Sequence, residues 1–128
     1  MRTIRSLTAL TLLAAALLAA PRPAGAADAA APAETTLTVV NLEYQGTKIW
    51  VPGTIVVKKG TKVTLNLINN VPPEGSQHGF AIPAYGVAAV VTVGTPETVT
   101  FTADRDGIFP LFCQLHPAHV GGQLVVLP

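Results

Sequence analysis

Sulfur is scarce in this 128-residue sequence, which has one cysteine and one methionine. The single cysteine, Cys113, has no partner for an internal disulfide, so its thiol is buried and inert, paired between chains or chemically employed. The only methionine is Met1, at the start of a predicted export signal. A thioether from within the mature chain is therefore excluded as a ligand for a metal ion.

Charged residues are also few, at 12% of the chain with a formal net charge of +1. Residues 1–26 read as a cleaved signal peptide, because Arg2 and Arg5 precede an apolar run over residues 7–20 and a small-residue site, Ala24-Gly25-Ala26. A retained membrane anchor is the alternative, but the run is short and two prolines follow it closely. The signal implies a periplasmic or secreted protein, with no membrane contact beyond the signal itself.

Cleavage at this site would leave 102 residues, enough for one small domain. The formal net charge would fall to −2, because three arginines and no acidic residue lie in residues 1–26. Such a balance argues against nucleic-acid binding, which needs a basic face. Residues 27–34, ADAAAPAE, are predicted to be a flexible leader before a domain at residues 35–128.

The domain has the composition of an all-β protein. In KVTLNLIN, residues 62–69, Val63, Leu65 and Leu67 alternate with polar residues, as in a strand with one buried face. Gly and Pro punctuate the chain at intervals typical of short strands, and no long helical period is present. We predict about eight strands, at residues 36–43, 49–57, 62–69, 78–82, 87–93, 97–104, 107–113 and 122–127. Two antiparallel sheets packed face to face, a β-sandwich, would bury the apolar face of each.

The residues best suited to metal binding are concentrated in one short stretch. CQLHPAHVGG, residues 113–122, contains the cysteine and two of the three histidines, His116 and His119. If the third, His78, lies at the end of a strand that neighbours the strand ending in Cys113, all four side chains can converge at one end of the sandwich. A thiolate with imidazoles is a donor set for copper or zinc, and the loop has no carboxylate. Taken alone, Cys113 could be a buried apolar residue and each histidine an ordinary core or surface residue. Taken together, the four residues predict one metal site.

These motifs resemble the cupredoxins, small copper proteins built on a Greek-key β-sandwich. The resemblance covers residues 35–128 and is carried by Cys113-Gln-Leu-His116-Pro with an upstream His78-Gly-Phe. It is closest to nitrosocyanin, a red copper protein, in the stretches TIVVKKGTKV, HGFAI, AYGV and TFTADRDGIF. The ligand loop is as short as that of amicyanin. The resemblance implies one copper ion cycling between Cu(I) and Cu(II).

The resemblance also implies a role for each donor. Cys113 matches the thiolate ligand and His116 the imidazole three residues later. His78 falls where most cupredoxins place their first histidine and nitrosocyanin a glutamate; Glu74, the nearest upstream acid, could substitute only if its loop folds back. His119 stands where amicyanin-like loops carry an axial methionine.

The absence of an internal methionine leaves the axial position open. His119, the side-chain amide of Gln123, the backbone carbonyl of Gln77 and a water molecule are the candidates, and we favour His119. Its imidazole would stabilise Cu(II), lower the reduction potential and give a red or green colour. A binuclear copper centre is excluded, since bridging would need a second thiolate.

The sequence thus predicts an exported mononuclear copper electron carrier rather than an enzyme. A redox partner protein would dock on an apolar rim near His116, formed by residues such as Pro117 and Val120. The alternative is a nitrosocyanin-like site that binds or transforms a small molecule such as nitric oxide. Zinc binding or metal trafficking is a third possibility. Trp50 could relay electrons, although core packing is the commoner role of a tryptophan.

Overall fold

The computed structural model describes residues 31–128, in which the regular structure is nine β-strands and one 3-10 turn at Pro83–Tyr85. The strands are β1 (Glu34–Tyr44), β2 (Thr47–Val51), β3 (Thr54–Lys58), β4 (Lys62–Asn69), β5 (Gln77–Ile82), β6 (Val87–Thr92), β7 (Glu97–Thr102), β8 (Gly107–Leu111) and β9 (Gly122–Leu127). The predicted signal peptide and residues 27–30 of the leader lie outside this part of the chain; Glu34, the last leader residue, begins β1. No helix within residues 31–128 is long and apolar enough to span a membrane.

One face of the domain is a four-stranded sheet in the order β2-β1-β4-β7. The alternation predicted in β4 is confirmed, since Val63, Leu65 and Leu67 are fully buried while the residues between them are not. The neighbouring strand β1 turns Val39 and Asn41 to the same interior. The sheet therefore contributes one continuous inner face to the core.

The other face combines two smaller groups of strands. One has the order β3-β9-β8, and the other is the hairpin-like pair β5-β6. A backbone bridge between Ala81 of β5 and Phe112, just beyond β8, connects the two groups. Side chains from both faces, among them Val39, Leu65 and Leu124, belong to one buried apolar cluster. The predicted all-β sandwich is confirmed.

Two details of the strand prediction are wrong. The sheets are not purely antiparallel, because β1 pairs with β4, and β3 with β9, in parallel. The strand predicted at residues 49–57 is two strands, β2 in the first face and β3 in the second. Pro52 has no N–H to donate to a ladder, and the carbonyl of Gly53 instead accepts the Gln123 N–H at 2.8 Å. The chain therefore crosses from one face to the other at this point.

This crossing depends on a close approach between two backbones, which gives a first prediction. A Cβ added at Gly122 would lie 2.9 Å from the carbonyl carbon of Gly53 and 3.2 Å from its Cα, both backbone atoms that cannot rotate away. We expect Gly122→Ala to lower the free energy of unfolding of the metal-free protein by about 1–3 kcal/mol, as overpacking does. The measurement is the urea midpoint.

Gly53→Ala is the matched control. A Cβ there meets only the carbonyl oxygen of Trp50, at an ordinary 3.6 Å. Its free energy of unfolding, measured in the same urea titration, should stay within about 1 kcal/mol of that of the wild type, as for a Gly→Ala change that the backbone tolerates. Equal losses in both variants would refute the assignment of the effect to this contact.

Candidate metal centre

The candidate site lies where β5 begins and β8 has just ended. Ala81 and Phe112 exchange two backbone hydrogen bonds, of 2.9 and 3.1 Å, in an antiparallel bridge. This pairing places the beginning of β5, with His78, beside the segment that starts at Cys113. Histidine and cysteine, 35 positions apart in the sequence, meet because their two backbones are hydrogen-bonded nearby.

Consecutive tight turns shape the loop between β8 and β9. The N–H of His116 donates to the Cys113 carbonyl at 3.3 Å, and the N–H of His119 donates to the His116 carbonyl at 3.0 Å. The loop then attaches to β2, where the Val120 N–H donates to the Lys48 carbonyl at 3.2 Å. Cys113, His116 and His119 are each three residues apart, and the two turns between them bring their side chains close together.

All four predicted ligands come together in the structure. One ligand atom from each of His78, Cys113, His116 and His119 lies within 4.8 Å of the others. The Cys113 sulfur is 3.5 Å from Nδ1 of His116, and the ring centroids of His116 and His119 are 4.6 Å apart in a stacked arrangement. The His78 ring lies 5.0 and 4.9 Å from these two rings. One small ion could therefore contact all four groups.

Exposure divides the four side chains into two kinds. Cys113 and His78 are buried, at 3% and 5% exposure, whereas His119 is half-buried and His116 is exposed. Nδ1 of His78 is buried and has no hydrogen-bond partner among the described residues. Leaving such a nitrogen unpaired costs about 1–3 kcal/mol. A thiolate and imidazoles that include an unpaired buried nitrogen fit a soft transition metal such as copper or zinc.

The environment keeps two of the imidazoles neutral. Burial lowers the pKa of His78 below its ordinary value, and the neighbouring His119, His116 and Lys48 lower it further. Burial also lowers the pKa of His119, with additional contributions from His116 and Lys48. Since a metal ion binds the neutral imidazole, these shifts favour the ligating form near neutral pH.

The sequence analysis did not identify several residues that surround the ligands. The Gly79 N–H donates to the Cys113 sulfur at 3.1 Å, which stabilises negative charge there. Gln114 donates to the Ala89 carbonyl at 2.9 Å, and its backbone N lies 2.9 Å from where a Gly79 Cβ would stand. The HGF and CQL motifs marked these positions as neighbours of ligands, but only the fold gives them a role.

Asn69, at the end of β4, holds the segment that leads to His78. Its amide nitrogen donates to the carbonyls of Ser76 and Val91 at 3.0 and 3.1 Å, and its amide oxygen accepts the Val71 N–H at 3.0 Å. Val91 is the partner of His78 in the β5-β6 ladder. Asn69 therefore connects the loop before His78 to the strand beside it.

The other proposed ligands lie elsewhere. Glu74 is exposed and is not part of the metal-ligand group found among residues 31–128. The Gln123 side chain is exposed on β9, with its amide nitrogen 3.5 Å from the Thr54 hydroxyl. Trp50 is buried in the core at 4% exposure, as expected for a packing residue. Among side chains, the structure therefore favours His119 as the fourth donor.

Known proteins share parts of this sequence and this fold. Nitrous-oxide reductase of Cupriavidus necator is 46% identical over 57 residues, which are 44% of this chain and 9% of that enzyme. The chain thus matches less than a tenth of the length of that curated relative. A reduced auracyanin from Roseiflexus castenholzii superposes with a TM-score of 0.59 at 21% identity, covering 75% of this chain and 99% of auracyanin.

A copper nitrite reductase from Nitrosomonas europaea also has a TM-score of 0.59, at 24% identity over 74% of this chain and 42% of that one. At such low identities these two structures establish the fold alone. A sequence-family model, described as the cupredoxin-like domain, matches residues 8–126. Because that match extends over almost the whole chain and agrees with the observed sandwich, the protein belongs to the cupredoxin-like family.

Proposed function

We propose that this protein is an exported electron carrier whose single copper ion is held by His78, Cys113 and the two loop histidines. The convergence of four ligand atoms within 4.8 Å supports this proposal most directly. The unpaired buried nitrogen of His78 adds to it, because a metal ligand at that position would satisfy the nitrogen. The family membership and the copper proteins of similar fold favour copper over zinc.

The protein's own residues suit electron transfer. A bound copper ion supplies one-electron chemistry by alternating between Cu(I) and Cu(II). Cys113 and His78 are buried and keep water away from one side of the site. The turns at His116 and His119 hold the loop by backbone hydrogen bonds, so its donors have little freedom to rearrange when the charge changes. When the ligands rearrange little, electron transfer is fast.

The exposed edge of His116 is the proposed route for electrons to and from a partner. Several apolar residues near it in the sequence are also exposed, namely Leu115 at 42%, Phe112 at 37% and Val120 at 52%. An apolar surface of this kind suits a brief encounter with another redox protein, because little desolvation of charge is needed. The partner is thus proposed to dock over the loop. Export to the periplasm or outside the cell rests on the predicted signal in residues 1–26.

A second candidate is a small-molecule site of the nitrosocyanin type. It is favoured by the partial exposure of His119, whose ring stacks on that of the exposed His116. A histidine that swings outward would leave a coordination position for nitric oxide. The closed four-donor cluster favours the carrier instead.

The thiolate role of Cys113 gives the first functional test. We expect Cys113→Ser to abolish the intense sulfur-to-copper absorption and to weaken copper binding by more than about 100-fold, beyond what losing an outer-shell partner costs. Absorption spectra and copper titration measure both effects. Gln123→Ala is the control and should behave as the wild type. Retention of the intense band by the serine variant would contradict the proposal.

If His119 is the fourth residue that holds the copper ion, replacing it should change the colour of the protein. His119→Met replaces an imidazole by the thioether of an ordinary blue site, so the band should move towards that of blue copper proteins and the reduction potential should rise. Visible spectroscopy and voltammetry provide the readouts. His119→Gln retains a polar donor and should not give a blue site. A wild-type spectrum already identical to that of the methionine variant would argue against an axial imidazole.

Azide distinguishes the carrier from the small-molecule site. If all four donors bind, added azide should leave the spectrum of the copper-loaded wild type unchanged, because no coordination position is free. His119→Ala should open one and acquire an azide-dependent band. A strong azide response in the wild type would favour the small-molecule function.

A further inference from the structure

Trp50, the only tryptophan of the chain, makes a buried hydrogen bond close to the site. Its indole N–H donates to the Gly79 carbonyl at 2.9 Å. The ring packs edge-on against Phe80, with centroids 5.2 Å apart and planes at 84°. Trp50 belongs to β2 in the first face, whereas Gly79 belongs to β5 in the second. This hydrogen bond therefore spans the interior of the sandwich.

On the side that faces β8, Gly79 lacks the backbone hydrogen-bond partner that Ala81, two residues later, has in Phe112. Ala81 directs both its N–H and its carbonyl at Phe112. Two residues earlier along the same strand, the polar groups of Gly79 point in the same direction, since backbone orientation repeats every second residue. Opposite Gly79, however, the chain has already left β8 and forms the loop between β8 and β9 that carries Cys113. The Gly79 N–H meets the sulfur of Cys113 at 3.1 Å and its carbonyl meets the indole of Trp50.

The indole thus takes the place of the missing ladder donor. A glycine has no side chain to restrict its backbone, so its orientation must be fixed by its neighbours. On one side of the Gly79 Cα, side-chain and backbone atoms of Gln114 occupy the space that a Cβ would need. Trp50 holds the carbonyl on the other, and without that bond a buried carbonyl would be unpaired.

We propose that Trp50 is a positioning residue for the Cys113 thiolate, acting by holding the Gly79 carbonyl so that the Gly79 N–H stays directed at the sulfur. The proposal deepens, and rests on, the copper site proposed above. It assigns Trp50 a role beyond filling the core. The proposal also implies that the hydrogen bond from Gly79 to the Cys113 sulfur depends on the packing of the β2 face against the β5 face.

The direct test uses amide and indole hydrogen exchange in the metal-free protein, followed by NMR. Trp50→Phe keeps an aromatic ring but removes the N–H donor. The Gly79 amide should then exchange roughly tenfold faster, as expected when a buried hydrogen bond is lost. Tyr85→Phe is the matched control, because it removes a hydroxyl donor to the Arg105 carbonyl, at 2.7 Å, away from the metal-ligand group. Its Gly79 amide should exchange at the wild-type rate.

Copper-loaded proteins give the second readout. With the Gly79 N–H no longer held on the sulfur, the thiolate becomes a stronger electron donor. In Trp50→Phe the sulfur-to-copper band should shift to longer wavelength and the reduction potential should fall, whereas Tyr85→Phe should match the wild type. Unchanged exchange and an unchanged band in Trp50→Phe, or equal changes in both variants, would overturn the proposal.

The wild type provides a test even if Trp50→Phe does not fold. Its single indole proton has one resonance, and both that proton and the Gly79 amide should be strongly protected from exchange. Rapid exchange of the indole proton beside a protected Gly79 amide would overturn the proposal. These measurements need no metal, so their failure is separate from that of the copper site, which would appear as a wild type without a sulfur-to-copper band.

Discussion

The backbone bridge between Ala81 and Phe112 is the contact on which the candidate site depends. Two hydrogen bonds there join β5 to the end of β8 and bring His78 beside Cys113. The loop that follows needs only two turns to return His116 and His119 to the same point. The convergence of the four ligand-type side chains thus rests on this long-range pairing and on the turns of the loop.

The site is graded from buried to exposed along the loop. Cys113 and His78 belong to the interior, and their surroundings of backbone and core fix them in place. His116 is exposed, as are the apolar residues Leu115 and Val120 of the same loop. This gradient would suit the proposed carrier, because the buried residues would shield a bound metal ion from water on one side while an imidazole edge stays accessible on the other. Hydrogen bonds of Gly79 connect the Cys113 sulfur on this side of the site with Trp50 on the opposite face of the sandwich.

Much of the fold could be predicted because strand alternation is a local property. The pattern of β4 identified its buried residues, and most strand positions agree with the structure. Strand direction and sheet membership could not be predicted in this way, since parallel and antiparallel strands show the same alternation. For that reason the parallel pairing of β1 with β4 and the division of residues 49–57 between two faces were missed.

The sequence by itself determined the donor types of the candidate site. One cysteine, three histidines and no internal methionine restrict the ligand set to a thiolate and imidazoles. Only the tertiary structure decided which groups surround those donors. Asn69, Gly79 and Trp50 act through hydrogen bonds to backbone carbonyls or to sulfur, contacts made by residues distant in the chain. Such contacts depend on how the strands pair and pack, which residue types and their spacing do not encode locally.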